Sequence, residues 1–214
     1  MPITLTENDV LLIVDVQNDF CEGGALAVPR GEEVVDLINR IAPLFRHAVV
    51  TQDWHPEGHL SFASSHPGKA AYQTIQAPYG EQILWPDHCV QGSYGAEFHA
   101  KLAVPSAAMI LRKGFHRAID SYSAFRENDR QTHTGLSHYL AEHGLERVFL
   151  AGLAYDYCVR FSALDARHAG FEAVVIEDAC RAIGLPGSVE ATRRDFASQG
   201  IHSIASRDLR NLIL

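Results

Sequence analysis

Apolar residues gather in short unbroken runs, and between the runs they recur every three or four positions. The first run is Val10-Leu-Leu-Ile-Val-Asp15-Val, apolar until Asp15. Ala48-Val-Val-Thr51, Ala107-Ala-Met-Ile-Leu-Arg112, Val148-Phe-Leu-Ala-Gly-Leu153, Ala173-Val-Val-Ile176 and Ile201-His-Ser-Ile204 follow. Runs with so little polar alternation predict strands covered on both faces. Between them, Val35, Ile38, Ile41, Ala42 and Phe45 give Glu32 to Phe45 the spacing of an amphipathic helix. Gly144 and Gly200 close two further helical stretches, Gly135 to His143 and Val189 to Gln199. Past Cys158, the spacing of Phe161, Leu164 and His168 predicts another helix, which Gly170 stops. Strands and helices alternating at this rhythm predict an α/β fold: a single doubly wound domain over 1–214, with a mostly parallel six-stranded sheet and helices on both faces.

One region breaks the rhythm. From Gln52 to about 106, prolines 56, 67, 78, 86 and 105 interrupt the chain and no period is sustained, beyond a short helix expected near Gly95 to Leu102. A connection this long inside a compact domain is usually functional or disordered. Trp54, Phe62, Tyr72, Trp85 and His88 within it argue for order, hence a metal- and substrate-binding loop.

Composition narrows the class of partner. A formal net charge of −8 argues against nucleic acid or an anionic membrane surface as a partner. No apolar run reaches the ~18 residues needed to span a bilayer. The N-terminus lacks a basic segment and an apolar core, so no secretory signal is expected. Cys21, Cys89, Cys158 and Cys180 lie far apart with no C-x-x-C pair, which fits free thiols in a reducing cytoplasm.

In sheets of this kind, ligands bind outside the carboxyl ends of the strands. Four predicted strand ends deliver Asp15, Asp53 with His55, Lys113 and Cys158 to that one edge. Cys158 falls at or just before a helix N-terminus, where unpaired N–H groups favour a thiolate and could hold an oxyanion. It is the candidate nucleophile. Asp15 could take the thiol proton and later pass it to a leaving amine, with Lys113 balancing charge. Asp53-x-His55 puts a carboxylate and an imidazole on one side of an extended chain. His88 is the best third ligand from the long loop, and His59 is either a fourth ligand or a neighbour. Asp plus two His with positions open to water suits a divalent metal ion.

The chain also resembles bacterial nicotinamidases of the isochorismatase-like cysteine hydrolase superfamily. The resemblance rests on Leu12-Ile-Val-Asp15-Val-Gln-Asn-Asp-Phe20, Gln52-Asp53-Trp-His55-Pro, Trp85-Pro-Asp-His88-Cys-Val-Gln, Arg112-Lys113-Gly, Asp120-Ser-Tyr122-Ser-Ala-Phe125 and Gly152-Leu-Ala-Tyr-Asp-Tyr-Cys158-Val. It implies Asp15, Lys113 and Cys158 as a catalytic triad, and Asp53, His55 and His88 as metal ligands. It implies Phe20, Trp85 and Tyr122 around a pyridine ring. It also implies a cis peptide at Leu153–Ala154, with the N–H groups of Ala154 and Cys158 as an oxyanion hole. The ion implied is zinc, with iron or manganese as alternatives. The implied reaction is hydrolysis of nicotinamide to nicotinate and ammonia through a thioester, in NAD salvage, with pyrazinamide as a further substrate. The metal would hold the pyridine nitrogen. Position 155 is Tyr where many relatives carry a small hydroxyl residue, a departure that bears on pocket shape beside the nucleophile. Two other readings stand beside this one: a superfamily amidohydrolase acting on a different small amide, and a metal-binding protein on this fold without turnover. Whether the chain forms a homo-oligomer is left open.

Overall fold

The computed structural model describes residues 3–210; residues 1–2 and 211–214 of the expected domain lie outside that range. Its strands are β1 (Ile3–Thr4), β2 (Asp9–Val14), β3 (His47–Asp53), β4 (Thr74–Ala77), β5 (Gly80–Ile83), β6 (Ala107–Lys113), β7 (Arg147–Leu153), β8 (Glu172–Arg181), β9 (His202–Ile204) and β10 (Leu209–Arg210). Its α-helices are α1 (Glu33–Ile41), α2 (Leu136–Glu142), α3 (Arg160–His168) and α4 (Ser188–Gln199). Six strands form one sheet in the order β6-β3-β2-β7-β8-β9. Every neighbouring pair in it is parallel. This is the predicted doubly wound sheet.

The unbroken apolar runs have a simple cause. All six residues of β2 are buried, because the sheet is covered on both sides. Leu11 and Ile13 point into a core shared with Val35 and Ile38 of α1 and with Phe149 of β7. Val10, Leu12 and Val14 point the other way, into a core shared with Leu140 of α2, Ala163 of α3 and Phe196 of α4. Edge strand β6 differs. Its burial alternates, with Ile110 59 % exposed while Leu111 and Lys113 turn inward. That alternation aims a lysine side chain into the protein.

Four elements depart from expectation. Strand β3 continues to Asp53, so Gln52 and Asp53 belong to the sheet and not to the long connection. Within that connection, β4 and β5 pair as an antiparallel hairpin. The segment expected to hold a short helix has only a 3-10 turn at Tyr94–Ala96. Strand β8 runs to ten residues, with a register irregularity against β7 between Leu150 and Gly152. Gly152 is required there: its φ is +120°, and a Cβ would lie 2.1 Å from the Val14 carbonyl oxygen. The close approach brings the ends of β2 and β7 together.

Candidate active site

Asp15 follows the last residue of β2 in a left-handed conformation, φ 48°, which aspartate tolerates better than most residues. Thr51 of β3 holds it there. The Thr51 hydroxyl accepts the Asp15 N–H at 3.1 Å and donates to Asp15 Oδ1 at 2.6 Å. Asp53, two residues along β3, is the cross-strand register partner of Lys113 on β6. Gln17 fixes the Asp53 backbone by two bonds: its Nε2 donates to the Asp53 carbonyl at 2.9 Å, and its Oε1 accepts the Asp53 N–H at 2.8 Å.

These placements converge on the Lys113 ammonium, which is fully buried. Nζ lies 2.8 Å from Asp15 Oδ2 and 2.8 Å from Asp53 Oδ1. It also donates to the Ser121 carbonyl at 2.9 Å and to Cys158 Sγ at 3.5 Å. Asp15 Oδ2, although in ion-pair contact, makes no conventional hydrogen bond and keeps lone-pair capacity. Carboxylate oxygens of Asp15 and Asp53 and the Cys158 sulfur lie within 4.8 Å of one another. One buried cation thus holds two carboxylates and a thiol.

Burial and charge set the protonation states. Burial alone would lower the Lys113 pKa, but Asp15 and Asp53 hold it well above its ordinary value. Burial raises the Asp15 carboxyl against the pull of Lys113. Burial acts the same way on Asp53, yet Lys113 and His55 outweigh it and hold that carboxyl well below the usual range. For Cys158, burial pushes the thiol well above its ordinary value and the nearby Lys113 offsets only part of this. The sequence, read for a helix N-terminus, suggested a stabilised thiolate. Cys158 does lie just ahead of α3, in a widened helical turn, Tyr155–Val159, but it is only 6 % exposed. Desolvation there wins, so the resting sulfur is a thiol in reach of a base.

Asp53, His55 and His88 are buried, with one ligand atom of each within 4.8 Å of the other two. His55 Nδ1 bonds the Gly114 carbonyl at 2.8 Å and His88 Nδ1 bonds the Pro86 carbonyl at 2.8 Å. A carbonyl only accepts, so each Nδ1 carries a proton, which leaves Nε2 as the atom each ring can offer to a metal ion. Those Nε2 atoms face Asp53 Oδ2, at 3.3 Å for His55 and 3.6 Å for His88. With Nε2 unprotonated on both rings, two nitrogens and a carboxylate oxygen would converge on one cation, and the spacing resembles the ~3.3 Å edge of a tetrahedron with zinc-ligand bonds of ~2.0–2.1 Å. Gly114 has to be glycine: a Cβ there would lie 2.5 Å from His55 Cε1. His59 stacks on His55 with ring centroids 4.2 Å apart, but its nitrogens are engaged elsewhere. Nδ1 bonds the Ser61 hydroxyl at 2.8 Å, and Nε2 bonds the His116 and Ile119 carbonyls at 3.1 and 3.2 Å. Burial, with the His55 charge, lowers its pKa to about 4. His55, His59 and Asp120 also offer ligand atoms within 4.8 Å of one another, but in this conformation the His59 nitrogens are taken by hydrogen bonds.

Between the thiol and the three candidate ligands lies a narrow cleft lined by Phe20, Trp85, Tyr122, Ala154, Asp53, His88 and Cys158. Its apolar walls suit a flat ring. Trp85 and Tyr157 meet edge to face at 4.9 Å, and Trp85 Nε1 donates to the Tyr122 hydroxyl at 3.1 Å. The Leu153–Ala154 peptide is cis. The Ala154 carbonyl accepts the N–H groups of Tyr157 and Val159, on either side of Cys158, at 3.0 and 3.1 Å. Two lining residues, Leu26 and Ile183, carried no earlier signal, while Asp120 and Tyr157 stood in the matched motifs without an assigned role. Tyr155, which the sequence marked as bearing on the pocket, packs instead against Phe196 on the far side, centroids 5.7 Å apart. Tyr157 is the aromatic residue of that turn that reaches the cleft. A wider hollow beside Cys21 and His99 lies elsewhere, and its thiol has the Glu32 carboxylate for a charged neighbour where Cys158 has an ammonium.

Comparison with known proteins gives consistent matches. The isochorismatase domain profile matches residues 9–206. The chain is 50 % identical over 202 residues to the nicotinamidase of Acinetobacter baylyi, covering 94 % of each chain. Among solved structures, a nicotinamidase/pyrazinamidase from Acinetobacter baumanii superposes with a TM-score of 0.94 at 50 % identity, covering 95 % of this chain and 98 % of that one. The pyrazinamidase of Pyrococcus horikoshii, solved in complex with zinc, superposes with a TM-score of 0.76 at 35 % identity, covering 92 % of this chain and 99 % of that one.

Proposed function

The chain belongs to the isochorismatase family, and from that footing we infer that it hydrolyses nicotinamide to nicotinate and ammonia through a thioester on Cys158. The observation that carries the mechanism is the single Lys113 ammonium shared by Asp15, Asp53 and Cys158.

The carboxamide carbon lies against the Cys158 sulfur with its ring between Trp85, Tyr157 and Phe20. Asp15 Oδ2 takes the thiol proton, and the sulfur electron pair forms the bond to carbon. The carbonyl pair moves onto oxygen, where the N–H groups of Ala154 and Cys158 receive the charge. When that pair returns, the C–N bond breaks and protonated Asp15 gives its proton to the departing nitrogen, which leaves as ammonia. Water then enters. Asp15 accepts one of its protons as the oxygen bonds to the thioester carbon, the C–S bond breaks, and the acid leaves. Asp15 returns the proton to sulfur, so thiol and carboxylate are regenerated. Lys113 remains charged throughout and offsets whichever of Asp15 and Cys158 is negative.

Asp53, His55 and His88 are the residues that would hold a divalent ion, and the chemistry such an ion supplies is coordination of a ring nitrogen. We assign zinc: two neutral imidazoles and a carboxylate are a zinc-type donor set, and a similar pyrazinamidase was solved with zinc. Iron and manganese suit the same donors. Pyrazinamide, which carries the same carboxamide on a ring with nitrogen, is a further proposed substrate. We place the protein in the cytoplasm, where its four free cysteines remain reduced. Among the described residues, no helix is long and apolar enough to cross a membrane. Ammonia release from nicotinamide, measured beside a panel of non-aromatic amides, tests the reading. Release from nicotinamide is expected, and a preference for a non-aromatic amide would replace nicotinamide as the substrate.

A further inference from the structure

The catalytic turn carries one carboxylate, and the mechanism does not use it. Asp156 lies two residues before Cys158 and is fully buried. Its Oδ1 accepts the Ile183 N–H at 2.9 Å. Its Oδ2 accepts the Gly184 N–H at 2.8 Å and the Ser188 hydroxyl at 2.5 Å. Two of the donors lie in the connection from β8 to α4, and the third, Ser188, is the first residue of α4. From Ala182 to Leu185 that connection has no regular structure, and Gly184 and Gly187 adopt left-handed φ of 76° and 79°. A segment with so little local structure takes its position from whatever holds it. Ile183 lines the ring cleft together with Cys158, and Leu185 with Pro186 lines an outer groove beside Tyr122 and Tyr157.

We propose that Asp156 is a positioning residue: it ties the nucleophile turn to the β8–α4 connection and the start of α4, and so sets where Ile183 closes the ring cleft. The carboxylate touches no reacting atom. Its effect reaches the substrate through Ile183, so it should act on ring binding and not on attack by sulfur. Asparagine at 156 would turn an amide N–H₂ toward donors that now meet an oxygen, freeing the connection while keeping the side-chain volume. The inference rests on nicotinamide as substrate.

The test is a kinetic cycle of Asp156→Asn, Ile183→Ala and the double variant on nicotinamide, with iodoacetamide alkylation of Cys158 followed in parallel. Asp156→Asn should raise KM about tenfold and leave kcat within about threefold, the size expected for a lost hydrogen bond to a charged group. Alkylation, which needs no ring contact, should change less than about threefold. In the Ile183→Ala background the KM effect should collapse toward unity, since the two residues act in series. A KM penalty that persists undiminished in that background overturns the proposal. So does an unchanged KM with kcat and alkylation both depressed, which would assign Asp156 to the nucleophile turn itself. Should Asp156→Asn fail to fold, Ser188→Ala removes one donor, and its KM increase of about two- to threefold must vanish with Ile183→Ala in the same way. Absence of nicotinamide turnover in the unmodified protein would instead defeat the substrate assignment.

Discussion

Asp53 and Lys113 face each other as register partners on β3 and β6, and their side chains meet at 2.8 Å. The Asp53 carboxylate is divided between two tasks: Oδ1 takes the ammonium, while Oδ2 faces the Nε2 atoms of His55 and His88. The same ammonium reaches Asp15 and Cys158. Proton transfer at sulfur and cation binding at the histidines are therefore linked through one salt bridge, with no exposed residue between them.

Removing the ammonium should damage more than the reaction. Lys113→Ala leaves the Asp15 and Asp53 carboxylates buried without their cation, and breaking a buried pair in this way costs roughly 3–5 kcal/mol. Thermal unfolding should show the loss. Because the three groups act together, the kinetic losses of Asp15→Asn and Lys113→Ala should not add. Losses that sum in the double variant would separate the two residues.

The donor geometry distinguishes His88 from His59. His88→Ala should reduce zinc affinity by at least about tenfold, since a ligand is lost where even an outer-shell change can cost that much. His59→Ala should retain the metal in elemental analysis, because both its nitrogens are bonded to Ser61 and to backbone carbonyls. Loss of metal from His59→Ala would make it a ligand after all.

If the ion holds the ring nitrogen, benzamide is the informative substrate. It has the shape of nicotinamide without that nitrogen, and a coordination contribution of roughly 3 kcal/mol predicts a kcat/KM about a hundredfold lower. Chelation should depress nicotinamide turnover strongly and benzamide turnover little. Equal kcat/KM for the two amides in the metal-loaded protein would remove the anchoring role.

The elevated thiol pKa makes its own prediction. Only the thiolate is alkylated, and burial keeps Cys158 protonated through neutrality despite Lys113. The rate of iodoacetamide inactivation should therefore climb about tenfold per pH unit from pH 6 to 9, without levelling. A plateau beginning near pH 6 would mean a thiolate–ammonium pair at rest.

Much of this was legible from residue order alone. The parallel sheet shows in apolar runs that lack alternation, and its topology sends Asp15, Asp53, Lys113 and the Cys158 turn to one edge. What escaped depended on local geometry. Thr74–Ala77 and Gly80–Ile83 are too short to show a strand period, so their hairpin looked irregular. Tyr155 and Tyr157 could not be assigned to faces because the turn carrying them is wider than an α-turn. The thiol's protonation state depends on desolvation by surrounding elements, which the nearby sequence does not encode. Asp156 was silent for the same reason, since all its donors lie more than twenty residues away, at Ile183, Gly184 and Ser188.

The central claim is that Cys158 forms the bond to the substrate, and ammonia release from nicotinamide by Cys158→Ala tests it most directly. The thiol's charged neighbour is Lys113, so the variant should fold and keep its metal content. Its kcat should fall by well over a thousandfold, as loss of a nucleophile generally does. A folded, metal-loaded Cys158→Ala protein that keeps more than about a thousandth of the original kcat would contradict the thioester route.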